Sequence, residues 1–284
     1  MKNPENILIN DRTLRDILDT SSRKKPFLLN LRLRIGQMFN TQLMGVNLAH
    51  LDLSKVDLKK AFLRYANLGY TYLRKSDLSG ADLGYAYLLF ANLIKANLVG
   101  SNLEGAYLSC AKMKKANLQD SNLSGANLED ADMWKANLKG ANLNGAILKN
   151  TDFRKANLEG VDLTKTDLTN HLFKDTNLEG VKLNGVNLSD GWFSRANLKG
   201  ANLRKANLSN ADLKNSCLEG ANLSYANLIG AHLEGANLKD ANLKGAKIKD
   251  AHLDDIIVDN TTMPNGKKYK TTDDYYLGID NEKT

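Results

Sequence analysis

The chain has 284 residues, of which 42% are hydrophobic, and its 39 Lys and Arg residues exceed its 32 Asp and Glu residues by a net charge of +7. An excess of this size permits acidic partners but does not require them. The sequence contains no apolar run near the roughly 20 residues that cross a membrane, and residues 1–10 lack the apolar core of a signal peptide, so we expect a cytoplasmic protein.

Residues 1–40 are predicted to form an N-terminal cap. Asn10 can cap a helix over about residues 11–20, whose apolar residues recur at helical spacing. Apolar residues alternate with other residues over about 27–35, which indicates a strand. We expect the helix and strand to cover the first of the repeats that follow, because the end of a repeat structure exposes apolar core and unpaired backbone groups.

A period of five residues dominates the chain from Leu43 to Leu253. Every fifth residue is large and apolar over 43 consecutive pentads, without an insertion. The residue two places earlier is usually Ala, and the residue directly before is mostly Asn or Asp. We expect the Asn and Asp side chains to point outward and bond nearby backbone at a bend.

Segments such as ANLKG, ANLSN and ADLKN resemble the A(D/N)LXX repeat of the pentapeptide repeat family, over about three quarters of the chain. The resemblance implies an all-β fold, a right-handed quadrilateral parallel β-helix or solenoid. In that fold four pentads form one square coil, and the Leu and the small residue point inward. Residues 41–258 would then form just under eleven coils. Several family members dimerise through the C-terminal end, so a monomer and a C-terminal dimer both stay open.

Residues twenty positions apart share their character, which supports the four-pentad coil independently of the family. One column holds the large residues Met113, Met133, Phe153, Phe173 and Phe193. Another column on the same face holds Lys55, Lys75, Lys95, Lys115, Lys135 and Lys155, with Arg195 continuing it after Asp175.

The second residue after each Leu lies at the predicted bend. Gly at this place, as at Gly80 and Gly100, suits the positive φ of the third residue of a type II turn. Faces that lack this Gly, including the Lys column, are expected to use another turn type. Near residue 258 the pattern ends, and residues 259–284 are predicted to form a polar C-terminal tail or cap.

No catalytic motif stands out, so we expect neither an enzyme nor a cofactor. The sequence lacks a phosphate loop, an HExxH motif, paired Cys ligands and a nucleophile elbow. His232 and His252 should stack on the surface, but the sequence offers no strong third metal ligand. Cys110 and Cys217 lie more than five coils apart and are predicted to be free thiols.

One pair of pentads departs from the pattern. His171 stands where a small residue is usual, and Gly191 stands one coil later. We expect a packing accommodation, in which the His171 ring takes space that Gly191 leaves, rather than a catalytic histidine.

One face combines positive charge with large apolar side chains and is the predicted partner surface. Its members are Lys55, Lys75, Lys95, Lys115, Lys135, Lys155, Arg195, Trp134, Leu172 and Trp192. Trp and Arg are enriched in binding hot spots. The alternative is a solvated lysine ladder, whose like charges salt would screen.

A second patch lies in the N-terminal coils, where aromatic residues occupy positions that are normally polar. Its members are Tyr65, Tyr70, Tyr85, Tyr87, Phe90 and Tyr107. Twenty-residue spacing pairs several of these rings. The stacks would stabilise the sheet face or bind a protein, and the sequence leaves both readings open.

These features favour a non-catalytic interaction scaffold that binds a macromolecule, most readily a protein, through one rigid wall. A first alternative comes from the family, some of whose members mimic B-form DNA and bind DNA gyrase, a topoisomerase. Such mimicry needs an acidic surface, whereas the pI here is about 9.1. A second alternative is non-specific polyanion binding, to nucleic acid or acidic lipid, by the Lys column.

Overall fold

The computed structural model describes residues 42–168 and 171–273. The predicted cap, with its helix over 11–20 and its strand over 27–35, lies outside these residues. Within the described part of the chain, no helix has the length and apolar character that crossing a membrane requires.

The chain from residue 42 onward winds into a parallel β-helix with twenty residues in each coil. Single-residue parallel bridges join positions twenty apart, from Gln42 and Phe62 to Asn242 and Thr262. A bridge residue bonds the preceding coil through both of its backbone groups. The Asn67 N–H donates to the Val46 carbonyl at 2.9 Å, and the Asn67 carbonyl accepts from the Leu48 N–H at 2.7 Å. Asn142 and Asp162 are one pair of described residues, twenty positions apart, that no bridge joins.

The interior is filled by the large apolar residue of each pentad and the small residue two places before it. Leu138 and Ala136 are representative, and both are buried. Phe153, Phe173 and Phe193 stack along the axis with ring centroids 5.6 and 5.1 Å apart. Each buried Leu contributes roughly 1.5–3 kcal/mol, so the stability of the rod comes from this repeated burial.

The same kind of turn joins pentads on all four faces, and among the described corners from residue 45 to residue 260 only Lys165 lacks a positive φ. The N–H of the first residue of a pentad donates to the interior residue three places earlier, as from Val46 to Leu43 at 3.2 Å. The third turn residue has positive φ whether it is Gly100, at 63°, or Lys95, at 60°. The prediction of another turn type for the Lys column is therefore wrong. Closing a square in register demands the same bend at every corner, and that demand overrides the residue's own preference.

The outward Asn and Asp side chains bond as predicted and also link the coils to one another. The Asn137 Oδ1 accepts the Lys139 N–H at 3.3 Å. The Asn137 Nδ2 donates to the Asn117 Oδ1 of the preceding coil at 2.9 Å, and the same link continues from Asn157. Asn supplies both a donor and an acceptor, whereas Asp can only accept when ionised, which explains why Asn predominates in these ladders.

The C-terminal end of the coil is closed by a short hairpin. Strand β1, Thr261–Thr262, pairs in antiparallel fashion with strand β2, Lys268–Tyr269. The bridge of Thr262 to Asn242 and the buried Met263 carry the coil five residues past the predicted end at 258. Tyr269 packs against the core, so this part of the tail covers apolar surface. Residues 274–284 lie outside the described residues.

We predict that Gly100→Ala lowers the free energy of unfolding by about 1 kcal/mol. A Cβ at Gly100 would have no neighbour within 4 Å, so the loss reports the positive φ alone. Lys205→Gly, at the same turn position with φ 61°, is the matched change and should raise the free energy of unfolding. Chemical denaturation measures both; a neutral Gly100→Ala would show that this backbone conformation is not strained.

Candidate functional site

The predicted partner surface is one wall of the coil, which we call the basic wall. It is formed by residues 52–55 and by the equivalent four residues of each following coil, which are 72–75, 92–95 and so on as far as 192–195. Six lysines occupy its corner, one in each of six successive coils, and all are exposed. We call these six the lysine stripe: Lys55, Lys75, Lys95, Lys115, Lys135 and Lys155.

The ammonium groups of the lysine stripe form no close ion pair with the described residues. Among the described residues, no carboxylate oxygen lies within 4.0 Å of any stripe ammonium group, whereas three other cations of the wall, Lys114, Arg154 and Arg195, are paired. Lys114 lies 3.1 Å from Asp132, and Arg154 lies 2.6 Å from Asp152. Asp132 and Asp152 therefore pair with the flanking cations Lys114 and Arg154 rather than with the corner lysines.

Arg195 continues the column of the lysine stripe in position, but its charge is paired. Its guanidinium binds the Asp175 carboxylate through two hydrogen bonds of 2.6 and 2.9 Å. These bonds and the attraction between the two charges hold the pKa of Asp175 below its ordinary value. Asp175 is the residue that interrupts the Lys column, and Arg195 compensates for it.

The two tryptophans of the basic wall differ in their contacts with the lysine stripe: Trp134 contacts two of its lysines, whereas Trp192 lies in a neighbouring column. The ammonium group of Lys135 lies 4.4 Å from the Trp134 ring centroid, and that of Lys115 lies 5.5 Å away, so both make cation–π contacts. Trp192 forms a bridge with Leu172 in the neighbouring column, and its side chain is 55% exposed. The structure thus brings Trp134 together with the lysines and leaves Trp192 as an open apolar contact on the same wall.

The aromatic patch of the N-terminal coils consists of three stacks. The ring centroids lie 5.5 Å apart for Tyr65 and Tyr85, 5.0 Å apart for Tyr70 and Phe90, and 4.8 Å apart for Tyr87 and Tyr107. Sequence analysis missed three contributors: His50 stacks on Tyr70 at 5.1 Å, Arg64 contacts the first stack, and Leu89 is 39% exposed between two stacks. The twenty-residue spacing of His50 and Tyr70 was the available signal.

His171 is a packing residue, as expected, although Gly191 accommodates a different ring. His171 is buried, stacks near Phe173, and its Nε2 lies 2.6 Å from the Leu148 carbonyl oxygen, to which it donates. A Cβ at Gly191 would meet the Phe193 ring at 2.6 Å. Gly191 is therefore small because of Phe193, and the expectation that His171 uses its space is wrong.

A histidine pair near the C-terminal end has the third ligand that sequence analysis did not find. His232 and His252 stack with centroids 4.6 Å apart, and Glu234 completes a group whose ligand atoms lie within 4.8 Å of one another. Although partial burial opposes ionisation of Glu234, hydrogen bonds from Lys214 and His232 help to hold the pKa of its carboxyl below its ordinary value. The sequence did contain a signal for Glu234: it lies two residues after His232 in the same pentad, and both positions face outward on the same wall.

Comparison with known proteins places this geometry in a family. Eight overlapping segments match the Pentapeptide repeats family, together covering residues 41–190 and 193–255. No curated protein sequence matched the chain. The chain belongs to the pentapeptide repeat family, and its coil is the right-handed quadrilateral β-helix of that family.

Several solved structures are similar to this chain. HetL, a pentapeptide repeat protein involved in heterocyst differentiation regulation in the cyanobacterium Nostoc sp. strain PCC 7120, is 31% identical over 85% of this chain and 98% of its own, with a TM-score of 0.32. Rfr23 from the cyanobacterium Cyanothece 51142 is 30% identical over 45% of this chain and 97% of its own, with a TM-score of 0.21. QnrB1, a plasmid-mediated fluoroquinolone resistance protein, is 16% identical over 84% of this chain and 97% of its own, with a TM-score of 0.42.

We predict that Lys95→Glu raises the free energy of unfolding by roughly 0.2–1 kcal/mol, because it places a carboxylate between Lys75 and Lys115. The gain should shrink as salt screens the pairs. Lys205→Glu is the matched control, since its neighbours in the column are Gly185 and Tyr225. Thermal melting at low and high salt measures both; equal responses would show that the stripe lysines do not repel one another.

Proposed function

We propose that this protein is a non-catalytic scaffold that binds an acidic surface of another protein through the basic wall. The observation that carries the proposal is the lysine stripe, whose six ammonium groups are unpaired among the described residues while Trp134 lies between two of them. Nothing in the packing of the rod requires this run of like charge, which disfavours the folded state.

The backbone presents the stripe as a rigid row. Adjacent coils lie roughly 4.8 Å apart, so the six lysines extend over about 24 Å. Ladder hydrogen bonds such as that from Lys95 to the Lys114 carbonyl, at 2.9 Å, hold the corners in place. A surface ordered in advance loses little conformational entropy when a partner binds.

The apolar residues of the wall favour a protein as the partner over a nucleic acid. Trp192 is exposed beside Leu172, and tryptophan supplies much of the energy in protein hot spots. Polyanion binding by the lysines alone would be non-specific and sensitive to salt, and it would give Trp192 no role. A gyrase-binding DNA mimic would need an acidic face, while the lysine stripe makes this wall positive.

The packed interior argues against an enzyme. Small-molecule sites are concave, and the described coils are filled by buried side chains such as Leu138 and Phe173. A hollow at Trp192, lined also by Asp212, Lys214 and His232, is open to solvent rather than enclosed. We therefore expect the activity of this protein to be binding.

The proposal predicts that Lys95→Glu/Lys115→Glu/Lys135→Glu loses at least about tenfold of its partner binding, since reversing charges at an electrostatic interface opposes both encounter and docking. Trp134→Ala/Trp192→Ala should weaken the same partners. Quantitative affinity capture from the native host, followed by titration of each purified partner, measures these losses.

The control is Lys60→Glu/Lys165→Glu/Lys205→Glu, which changes the net charge equally at the second residue after an interior Leu on other corners. Partners retained by the control and lost by the wall variant support the proposal. Equal retention by both wall variants contradicts it. Titration with heparin and duplex DNA at two salt concentrations tests the polyanion alternative, which predicts salt-sensitive binding that the lysine-stripe variant weakens and Trp134→Ala/Trp192→Ala leaves unchanged.

A further inference from the structure

The histidine pair near the C-terminal end forms a compact group of metal-ligand types. His232 and His252 occupy the same position in adjacent coils, and a parallel bridge joins their backbones. Their rings lie 17° from parallel, and the His232 Nδ1 is 3.4 Å from the Glu234 Oε1. Three donors from two adjacent coils are thus held together by a rigid ladder.

The Glu234 carboxylate has one oxygen that accepts no hydrogen bond from the described residues. Its Oε1 receives the Lys214 ammonium group at 3.1 Å. Its Oε2 is enclosed and accepts no hydrogen bond from the described residues. An enclosed carboxylate oxygen without a donor is unfavourable, and a cation beside it would satisfy it.

We propose that His232, Glu234 and His252 bind a divalent transition-metal ion of the zinc class. Two imidazole nitrogens and one carboxylate oxygen are a donor set that zinc uses with three protein ligands and a further open position. Two of the three donors are imidazole nitrogens, whereas calcium and magnesium prefer oxygen ligands, so those ions fit the group less well. The hollow beside His232 gives an ion access from solvent.

Small side-chain rotations would bring the three ligand atoms to the separations found around zinc. Ligand atoms around tetrahedral zinc lie about 3.4 Å apart, given bonds of about 2.1 Å, whereas these atoms lie within 4.8 Å of one another. His252 is exposed and His232 and Glu234 are half-buried, so their side chains can turn while the backbone stays fixed. The bound ion would link residues 232–234 to the next coil, close to the C-terminal hairpin.

The test uses the full chain, free of any histidine tag, titrated with Zn²⁺ by calorimetry and with Co²⁺ by absorption. We expect one ion per chain, visible-region bands from bound Co²⁺, and a melting temperature that rises with Zn²⁺. His252→Ala and Glu234→Gln should each lower the affinity by at least about tenfold, since even changes behind the ligands cost about 10–100-fold.

His50→Ala is the matched control, because it removes an exposed stacked histidine far along the chain from the cluster. It should bind Zn²⁺ as the wild type does. Melting without metal confirms that each variant folds. Absence of stoichiometric Zn²⁺ binding in the wild type, or equal affinity in the wild type and folded His252→Ala, overturns the proposal.

Discussion

The backbone ladder that joins each residue to the one twenty positions later is the constraint on which the rest of this protein depends. It closes every four pentads into one coil, with bridges such as that of Asn137 to Asn157. Leu and Ala fill the interior because four walls converge there, and Asn links the coils outside because it both donates and accepts. Any side chain repeated at this spacing becomes a continuous column on the surface.

The same constraint imposes conformations that the residues would not choose alone. Non-glycine residues adopt positive φ at many corners, including 62° at Lys55 and 60° at Lys155. These corners carry both unfavourable backbone geometry and unbalanced like charge. The backbone penalty is shared by non-glycine corners on every face, whereas the run of like charge is particular to the lysine stripe, which is why we propose the basic wall as the partner surface.

One wall changes its chemistry along the rod. In the N-terminal half its corner is positive; Arg195 and Asp175 then neutralise each other, and toward the C-terminal end the wall carries His232, Glu234 and His252. A solenoid permits such division because each coil contacts its neighbours alone. The proposed protein contact and the proposed metal site can therefore coexist without sharing residues.

The sequence by itself determined the period, the interior residues and the columns, because burial every fifth residue and likeness every twentieth are visible without coordinates. It also placed the lysine stripe and the aromatic pairs. The tertiary structure decided the recurrence of one turn at glycine and non-glycine corners alike, the pairing of Arg195 with Asp175, the space that Phe193 takes at Gly191, and the place of Glu234 beside the histidines. These depend on side-chain rotamers and on distances between coils, which a repeat pattern does not specify.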